Sequence, residues 1–255
     1  MHNENHNKKK DTDFLFGIRS IIEAIEAGRT INKILLQNGV RGELMEELKD
    51  ILRGEKITIQ KVPSQKMDRI TRKNHQGAIA FISPIEYQPL DQILPIIYEK
   101  GETPFIYILD RVTDVRNLGS IARSAECNGV HAIVLPSRGS ALVTADAVKT
   151  SAGALNKIPV CIEHNLKDTI QYLKDYGVSV VGCTEKTENL LPTTPLKGAV
   201  AIIMGSEENG ISSEYLKMCD NRVKIPMFGT IESLNVAVSA SIVMYEVNRQ
   251  RLESE

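Results

Sequence analysis

The sequence predicts an α/β protein of two domains, in which a small mixed module precedes a larger domain built on a parallel sheet. The chain has 255 residues, which exceeds one typical domain. From Phe105 onward, the apolar runs FIYILD, HAIVLP, VSVVGCT and AVAIIMG alternate with segments of helical character. These runs are continuous rather than alternating with polar residues, which indicates parallel strands that are buried on both faces of a sheet.

The first module extends over residues 14–85 and follows a polar tail, residues 1–13, which we interpret as disordered. GIRSIIEAIEAG has helical periodicity and ends at Gly28, a residue type that favours a helix C-terminus. The following segments predict the strand INKILLQ, the helix RGELMEELKDILRG and the strand KITIQKV. QKMDRITRKNHQGAIAFIS then predicts a helix, a basic turn and a closing strand.

The stretch SPIEYQPLDQILPIIYEKGETP has prolines at 84, 89, 95 and 104 and predicts a linker with one short helix, residues 86–103, before the second domain, residues 104–255. In that domain we expect helices around residues 118–128, 144–152, 166–176 and 212–219. RVKIPMF adds a strand, and the segment IPMFGTIESLNVAVSASIVMYE predicts a long closing helix. The closing helix is slim enough for another backbone to approach closely, because it contains Ala237, Ser239, Ala240 and Ser241.

Composition narrows the class of protein. No apolar run approaches the ~20 residues of a membrane helix, and the N-terminus has no apolar segment typical of a secretory signal. The four cysteines are far apart, with no C-x-x-C pair and no His at ligand spacing. We therefore expect a reduced, cytoplasmic protein without a structural metal.

The net charge of −1 conceals a difference between the two domains. Residues 14–85 contain twelve Lys and Arg against eight Asp and Glu, whereas residues 86–255 contain sixteen against twenty-one. This asymmetry suggests that only the first module meets a polyanion. A surface whose charges are simply solvated is the alternative.

The usual nucleotide-binding motifs are missing from the sequence. No two of the 17 glycines are separated by a single residue, so G-x-G-x-x-G cannot occur. No glycine precedes a lysine, which excludes the Walker A motif. The common dinucleotide-binding and P-loop enzymes are therefore excluded, and so is the G-x-G loop of open-sheet methyltransferases.

Three other segments place polar residues at predicted strand ends, where open α/β sheets bind ligands. The first is DRVTDVRNLGSIARSAE, with Asn117 and Arg123. The second is MGSEENGIS, with Glu207, and the third is ESLNVAV, with Ser233 and Asn235. A site could be built where these loops meet.

Each segment also has a purely structural explanation. Asn117 can cap the helix that follows it. MGSEENGIS can be a turn in which Gly210 adopts a positive φ and Ser212 caps the next helix. Ser233 can cap the closing helix, which would place Asn235 in its first turn. No segment alone decides between capping and chemistry.

Together and in this order, the segments resemble the SpoU family of RNA ribose 2′-O-methyltransferases. The resemblance covers residues 105–250 and rests on N-x-G-x-x-x-R, G-x-E-x-x-G and I-P followed by S-L-N-V. Val115 stands where the family usually has proline, which loosens the turn but removes no functional group. Residues 14–85, with HQGAIA at 75–80, resemble the RNA-binding domain, of the ribosomal L30e type, that precedes the catalytic domain in members acting on a guanosine of 23S rRNA.

The resemblance implies a fold that the pattern alone would not predict. The C-terminal segment of the sheet domain would thread a loop and form a deep trefoil knot, although knots are almost absent from proteins. S-adenosylmethionine would bind in the knot, chiefly to main-chain groups of Gly205, Ile225 and Leu234, with Thr184 nearby. A homodimer with the knots at its interface is implied as well.

The implied reaction is methyl transfer to a ribose 2′-OH. Because a sulfonium methyl is already activated, the protein mainly holds the nucleophile, methyl group and sulfur in line. Arg123 would stabilise the developing alkoxide, and a substrate phosphate or water would take the proton because a guanidinium rarely loses its own. The residues that would orient Arg123, the ribose and its phosphate are Asn117, Glu207, Ser233 and Asn235.

The first module would select the RNA through its basic turn, with Arg69, Arg72, Lys73 and His75 as phosphate contacts. A solvated charged loop is the alternative. A separate N-terminal module favours 23S rRNA, because the tRNA-specific relatives recognise tRNA with short terminal extensions. The competing hypotheses are methylation of tRNA, methylation of an rRNA adenosine in antibiotic resistance, and a non-catalytic RNA-binding protein.

Overall fold

The computed structural model describes residues 14–53 and 57–253, which divide into two compact units. The first unit ends at Ser83 and the second begins at Pro84. Each unit has its own sheet and its own apolar core. The tail expected at residues 1–13 lies outside the described residues.

The first unit is a four-stranded mixed sheet with two helices packed on one face. Its elements are β1 (Phe14–Phe16), α1 (Ile18–Glu26), β2 (Ile31–Gln37), α2 (Glu43–Leu52), β3 (Thr58–Val62), α3 (Ser64–Asp68) and β4 (Ala78–Ile82). The strand order is β1-β4-β2-β3, with β2 and β3 parallel and β4 antiparallel to both of its neighbours. The elements expected after Gly17 are all present, and β1 is an additional edge strand.

Local sequence explains why α1 forms and where it stops. Its buried residues Ile18, Ile21 and Ile22 recur at helical spacing and face the core. Gly28 lies just beyond its C-terminus with a φ of +70°, a conformation that glycine adopts without steric cost. The predicted end of this helix is confirmed.

The second unit is a six-stranded parallel sheet with helices on both faces. Its elements are α4 (Leu90–Glu99), β5 (Phe105–Leu109), α5 (Val115–Cys127), β6 (Ala132–Pro136), α6 (Ala145–Thr150), β7 (Val160–Glu163), α7 (Leu166–Asp175), β8 (Ser179–Cys183), β9 (Val200–Met204), α8 (Ser213–Met218), β10 (Asn221–Val223) and α9 (Val236–Leu252). The strand order is β10-β8-β9-β5-β6-β7. Every strand pair is parallel, as the sequence predicted, and β7 is an additional edge strand.

The central strand β5 shows why the apolar runs are continuous. Phe105, Tyr107 and Leu109 pack into a cluster with residues of α5 and α9, whereas Ile106 and Ile108 pack into a second cluster with residues of α4 and α7. All five side chains are buried. Helices cover both faces, so each residue of the strand meets apolar neighbours.

The closing helix α9 packs along α5, as its small residues led us to expect. Ser241 Oγ lies 2.8 Å from Ser124 Oγ and donates to the carbonyl of Ala237, also at 2.8 Å. Two residues before the helix ends, Gln250 accepts a hydrogen bond from Leu196 N at 2.9 Å and donates to Thr194 O at 3.0 Å. These bonds attach the C-terminal half of α9 to the loop between β8 and β9.

The stretch expected to be a linker contains the helix α4. Its residues Leu90, Leu94 and Ile97 are buried in the second unit. Among the residues described, no helix is long and apolar enough to cross a membrane. The same part of the chain contains no group of three or more His, Cys, Asp and Glu side chains placed to hold a metal ion.

Candidate active site

The polar segments singled out in the sequence meet at one edge of the second sheet. Because the six strands are parallel, their carboxyl ends lie on the same edge. The loops that leave β5, β8, β9 and β10 there carry the first motif, Thr184, Glu207 and Ile225. This is the position at which open α/β sheets bind ligands.

Asn117, Glu207 and Asn235 form a closed hydrogen-bonded cluster. The Nδ2 atoms of both asparagines donate to Oε1 of Glu207, at 2.8 Å from Asn117 and 3.0 Å from Asn235. Asn235 Nδ2 also donates to Oδ1 of Asn117 at 3.0 Å. One network therefore joins three loops that are far apart in the sequence.

The orientation of the Asn235 amide follows from its place at the start of α9. Asn235 is the N-cap, and its Oδ1 accepts from the backbone N–H groups of Ala237 at 2.9 Å and Val238 at 3.3 Å. With the oxygen engaged by the helix, the NH₂ group is left to face Glu207. The expectation that Ser233 caps this helix was wrong, because the helix begins two residues later than predicted.

The first motif required a similar correction. Asp114, not Asn117, caps α5, and its carboxylate accepts from Arg116 N at 2.6 Å. Asn117 lies in the first turn of α5, where its side chain is available to Glu207. Gly119 allows α6 to pack close by, since a Cβ there would lie 2.7 Å from Thr150 Cβ.

A tight turn presents Glu207 to the two asparagines. Ser206 and Gly210 exchange backbone hydrogen bonds at 3.2 and 2.9 Å, so residues 206–210 fold back on themselves. Gly210 has the expected positive φ, at +63°. A Cβ on Gly205 would lie 2.1 Å from the carbonyl carbon of Gly210, so only glycine fits before this turn.

Asp110 and Arg111 support the turn, and sequence reasoning did not single them out. The buried carboxylate of Asp110 accepts from Arg111 Nε at 2.8 Å, from Arg111 Nη2 at 3.0 Å and from Ser212 N at 2.7 Å. Arg111 Nη2 also donates to Gly210 O at 3.2 Å. The hydrogen bond to Asp110 raises the pKa of Arg111 above its usual range. A polar residue just after a buried strand was the signal that could have identified Asp110.

Arg111 has a φ of +59°, a conformation uncommon for a residue with a side chain. Its three hydrogen bonds to Asp110 and Gly210 hold it there. Strain of this kind gathers near functional sites, which agrees with its position beside the Glu207 turn.

A cavity of about 270 Å³ opens beside the cluster. Its lining combines apolar groups, among them Val112 and Val236, with the polar side chains of Arg111, Thr113, Asn117, Ser206, Glu207 and Asn209. Oε1 of Glu207 accepts both asparagine donors, whereas Oε2 has no hydrogen-bond partner among the described residues. Oε2 of Glu207 is therefore free to accept a hydrogen bond from a molecule bound in the cavity.

Two of the five residues expected to act in catalysis stay outside the cluster. Arg123 is exposed on α5, and its side chain forms no hydrogen bond or ion pair with any residue of the described ranges. Ser233 is also exposed and makes no hydrogen bond within those ranges. The structure thus brings together Asn117, Glu207 and Asn235, and leaves Arg123 and Ser233 available to solvent.

Three of the four residues expected to bind a cofactor follow neighbouring strands, and the fourth precedes α9. Thr184 follows β8, Gly205 follows β9 and Ile225 lies two residues beyond β10, while Leu234 directly precedes the cap of α9. Thr184 N donates to Val223 O at 2.9 Å, which ties β8 to β10 at this edge. Among described residues, the backbone N–H and C=O groups of Gly205, Ile225 and Leu234 have no hydrogen-bond partner. These groups suit a ligand that is recognised by the main chain.

Cys183, beside this set, has no role as a nucleophile. Burial, with a smaller effect from Glu185, raises the pKa of its thiol to about 12. The thiol therefore stays protonated at neutral pH, and only the thiolate is reactive.

The basic turn of the first unit is only partly exposed. Arg69 and Arg72 are exposed, and Lys73 places its Nζ 5.5 Å from the centre of the Phe16 ring. His75 turns inward instead, since Nδ1 accepts from Gly77 N at 3.0 Å and Nε2 lies 3.2 Å from Asp68 Oδ1. The histidine therefore holds the turn together, and the three cations remain available for phosphate contacts.

Comparison with known families identifies the family of this chain. Residues 104–245 match the SpoU rRNA Methylase family, which is more than half of the chain. Residues 14–88 match a family described as RNA 2′-O ribose methyltransferase substrate binding. The chain belongs to the SpoU family.

Relatives of this SpoU methyltransferase match it over nearly its whole length. A protein of Staphylococcus aureus strain MSSA476, assigned to the TrmH family of tRNA/rRNA methyltransferases, is 39% identical over 237 residues, which is 93% of this chain and 96% of the relative. A protein of Staphylococcus haemolyticus with the same assignment is 37% identical over 237 residues, covering 93% of this chain and 95% of the relative.

Solved structures share the fold of the SpoU chain. The AdoMet-bound rRNA methyltransferase of Sinorhizobium meliloti has a TM-score of 0.59 and 26% identity, covering 92% of this chain and 86% of that structure. AviRb of Streptomyces viridochromogenes, in complex with AdoMet, has a TM-score of 0.60 and covers 98% of this chain and 95% of its own. At 23% identity, the likeness to AviRb supports the fold alone.

Proposed function

We propose that this SpoU protein transfers the methyl group of S-adenosylmethionine to the ribose 2′-OH of a guanosine in 23S rRNA, in the cytoplasm. The observation that carries the proposal is the Asn117–Glu207–Asn235 cluster, which lies at the carboxyl edge of the sheet beside a polar cavity. The main-chain groups of Gly205, Ile225 and Leu234, which have no partner among the described residues, fit a bound cofactor. S-adenosylmethionine supplies an activated methyl group when it is bound there.

In this mechanism the side chains position the nucleophile rather than react with it. The cluster fixes the Glu207 carboxylate, and its free Oε2 can accept a hydrogen bond from a ribose or base in the cavity. Holding reacting atoms in line accounts for much of the rate of such transfers. Asn117 and Asn235 act by keeping Glu207 in place.

Arg123 supplies positive charge to the ribose oxygen. It forms no ion pair with another described residue, so its guanidinium can pair with a substrate oxygen without first breaking a bond. Placed beside the 2′-oxygen, the guanidinium stabilises the negative charge that develops as the proton leaves. A substrate phosphate or a water molecule accepts that proton, since arginine stays charged in proteins. Ser233, exposed and unbonded among described residues, is available to orient the adjacent phosphate.

We infer the trefoil knot from the path of the chain after β10. Lys224 N donates to Asn189 O and Leu191 N donates to Lys224 O, both at 2.9 Å, so this segment runs alongside the β8–β9 loop. From that edge of the sheet the chain returns to its centre, where Tyr107 OH donates to Ala240 O of α9 at 3.0 Å. Threading of the segment through the β8–β9 loop would account for this path.

We further propose that the protein is a homodimer that uses α9. Exposed apolar side chains recur along one side of α9 at Val238, Ile242, Tyr245 and Leu252. The loop before the helix adds Phe228, which is 97% exposed, and Ile231, which is 74% exposed. Contiguous exposed apolar groups mark association surfaces, and a second copy would bury them.

The first unit selects the RNA in this proposal. Arg69, Arg72 and Lys73 form no ion pair with other described residues, and cations of this kind contact phosphates. Residues 14–88 match a substrate-binding family, which favours a large RNA recognised by a dedicated module.

Methylation of tRNA is the nearest alternative, and the assignment of the relatives to tRNA/rRNA methyltransferases keeps it open. The deciding experiment supplies purified protein and labelled S-adenosylmethionine with deproteinised 23S rRNA or with bulk tRNA. Label in 23S rRNA supports the proposal, and label in tRNA alone contradicts it. A protein that binds neither the cofactor in calorimetry nor transfers label would be a non-catalytic relative.

A further inference from the structure

The sheet of the first unit has one face that is well covered and one that is not. Along β2, Ile34 and Leu36 pack into the core with α1 and α2, so the alternate residues Lys33 and Leu35 face the other way. Within the described part of the unit, that second face receives Met67 of the five-residue helix α3, together with Ile70. We call it the aromatic face, because it carries Phe14, Phe16 and Phe81.

Aromatic and cationic side chains alternate across this face. Phe14 pairs with Phe81 across β1 and β4, with ring centres 6.1 Å apart. Phe81 in turn pairs with Lys33 across β4 and β2, and the lysine Nζ lies 5.0 Å from the centre of its ring. Lys73 lies in the same way over Phe16, at 5.5 Å. The rings are half-buried, and a lysine side chain accompanies two of them.

The charges around the aromatic face are unbalanced. Residues 63–83 contain four Lys and Arg against one acid, Asp68, which is already bonded to His75. Burial, together with a smaller effect from the nearby charge of Lys66, lowers the pKa of Lys33. Lys33, Lys66, Arg69, Arg72 and Lys73 form no ion pair with any described residue.

Three cations on the helical side of the same unit are paired. Arg19 lies 3.5 Å from Glu47, Lys49 lies 2.6 Å from Glu46 and Arg53 lies 3.1 Å from Asp50. Ion pairs therefore compensate these three cations at α1 and α2, whereas no described acid pairs with Lys33, Lys66 or the cations of the basic turn. Like charges held together without a counter-charge are a binding surface for a polyanion.

We propose that the aromatic face is a binding site for an unpaired RNA strand, with phosphates held by Lys33, Lys66, Arg69 and Arg72 and a base stacked on the Phe14–Phe81 pair. The inference rests on the proposed action on RNA, and it specifies that the first unit binds RNA in unpaired form. Aromatic side chains can stack only on bases that are free of a duplex, whereas cations alone bind paired and unpaired strands alike. The interleaving of both on one sheet face therefore selects a loop or single-stranded segment.

The test measures binding of the full-length protein to a fluorescent RNA of about 12 unstructured adenosines at several salt concentrations. Each phosphate contact contributes about 0.7 to the slope of log affinity against log salt for a single strand. The double variant Lys33→Gln, Lys66→Gln should lower that slope by about 1.4 and weaken binding roughly tenfold at low salt. The matched control removes two paired cations, Arg19→Gln with Lys49→Gln, and should leave the slope unchanged.

A second variant separates stacking from charge. Phe14→Leu keeps the apolar strand but removes a ring, so affinity for the RNA should fall about tenfold with the salt slope unchanged. An equal slope change in the Arg19 and Lys49 control would overturn the proposal. The proposal would also be overturned if an RNA duplex of ~12 base pairs, or polyglutamate of similar charge, bound as tightly as the single strand. Because binding is read without cofactor or turnover, these outcomes stand even if the protein methylates no RNA.

Discussion

Asn235 joins the folding of α9 to the geometry of the site, because one side chain caps the helix and positions Glu207. Asn235→Asp keeps the capping oxygen and replaces the NH₂ donor by a second carboxylate oxygen. We expect kcat to fall roughly a hundredfold, since the Glu207 carboxylate loses its orientation. Thermal stability should be almost unchanged at low pH and should fall as the pH rises, because two adjacent carboxylates repel once both are ionised.

The control for this substitution is Asn165→Asp. Asn165 caps α7 in the same way, accepting from Lys167 N at 3.1 Å and donating to Asp168 Oδ2 at 2.7 Å. It should show a similar stability profile with normal turnover. Unchanged turnover in Asn235→Asp would show that the cluster does not act in the reaction.

Substitution of Arg123 tests whether its guanidinium stabilises the negative charge that develops on the ribose oxygen. Arg123→Ala should abolish detectable turnover, because nothing else described in the first motif offers a free cation on that helix turn, while affinity for S-adenosylmethionine in calorimetry stays within about twofold. Arg116→Ala, another exposed arginine of α5, is the control and should retain activity. A comparable loss of cofactor affinity in Arg123→Ala would place the residue on the cofactor side instead.

Gly205 tests the turn that carries Glu207. Gly205→Ala puts a Cβ 2.1 Å from the Gly210 carbonyl carbon, so the turn must shift and we expect a loss of about 2 kcal/mol or more in the free energy of unfolding. Gly198→Ala is the control, because a Cβ there meets no atom within 4 Å. Urea unfolding followed with cofactor binding gives both quantities. Equal stability of the two variants would contradict the tight turn.

At the scale of elements, α9 has one side in the core and one side that nothing described covers. Tyr245→Glu places a charge in the middle of the exposed apolar row, where Tyr245 is 66% exposed. We expect the variant to sediment as a monomer at micromolar concentration, whereas the unmodified protein sediments as a dimer. Ile96→Glu, which changes an exposed isoleucine of α4, should leave the dimer intact. A monomeric unmodified protein would refute the dimer.

The C-terminal end of α9 makes stability depend on pH. Hydrogen bonds from Arg249, and then from Gln250, hold the pKa of the buried Glu246 carboxyl below its ordinary value of 4.5. A depressed pKa in the folded state contributes stability above pH 4.5 that is lost as the pH falls through the folded value. Glu246→Gln should therefore melt at lower temperature than the unmodified protein at pH 7, with the difference shrinking below pH 4.5. Glu99→Gln, at an exposed position of α4, should show no such trend.

For the whole molecule, sequence patterns predicted the larger architecture because they depend on local chemistry. Continuous apolar runs required strands buried on both faces, and the parallel sheet follows from them. Asn117, Glu207 and Asn235 were expected to act together, and the structure brings them together. Their convergence was accessible because parallel strands put their carboxyl ends on one edge of a sheet.

The parts that sequence did not predict depend on competition between neighbouring residues. Asp114 and Asn117 are both good caps, and so are Ser233 and Asn235; only the backbone path decides which one starts the helix. The inward turn of His75 depends on Asp68 and Gly77, partners that no periodicity marks. The positive φ of Arg111 is held by tertiary hydrogen bonds, which no local propensity anticipates.

In the most direct test, the purified protein is incubated with labelled S-adenosylmethionine and deproteinised 23S rRNA. The label is then located by mass spectrometry of the nucleosides. We expect one methyl group on a ribose 2′-oxygen, carried by guanosine, which Asn235→Asp adds about a hundredfold more slowly and Asn165→Asp adds at the normal rate. A methyl group on a base, or full labelling by the Asn235→Asp variant, would contradict the claim that three converging loops set a ribose oxygen against the methyl donor.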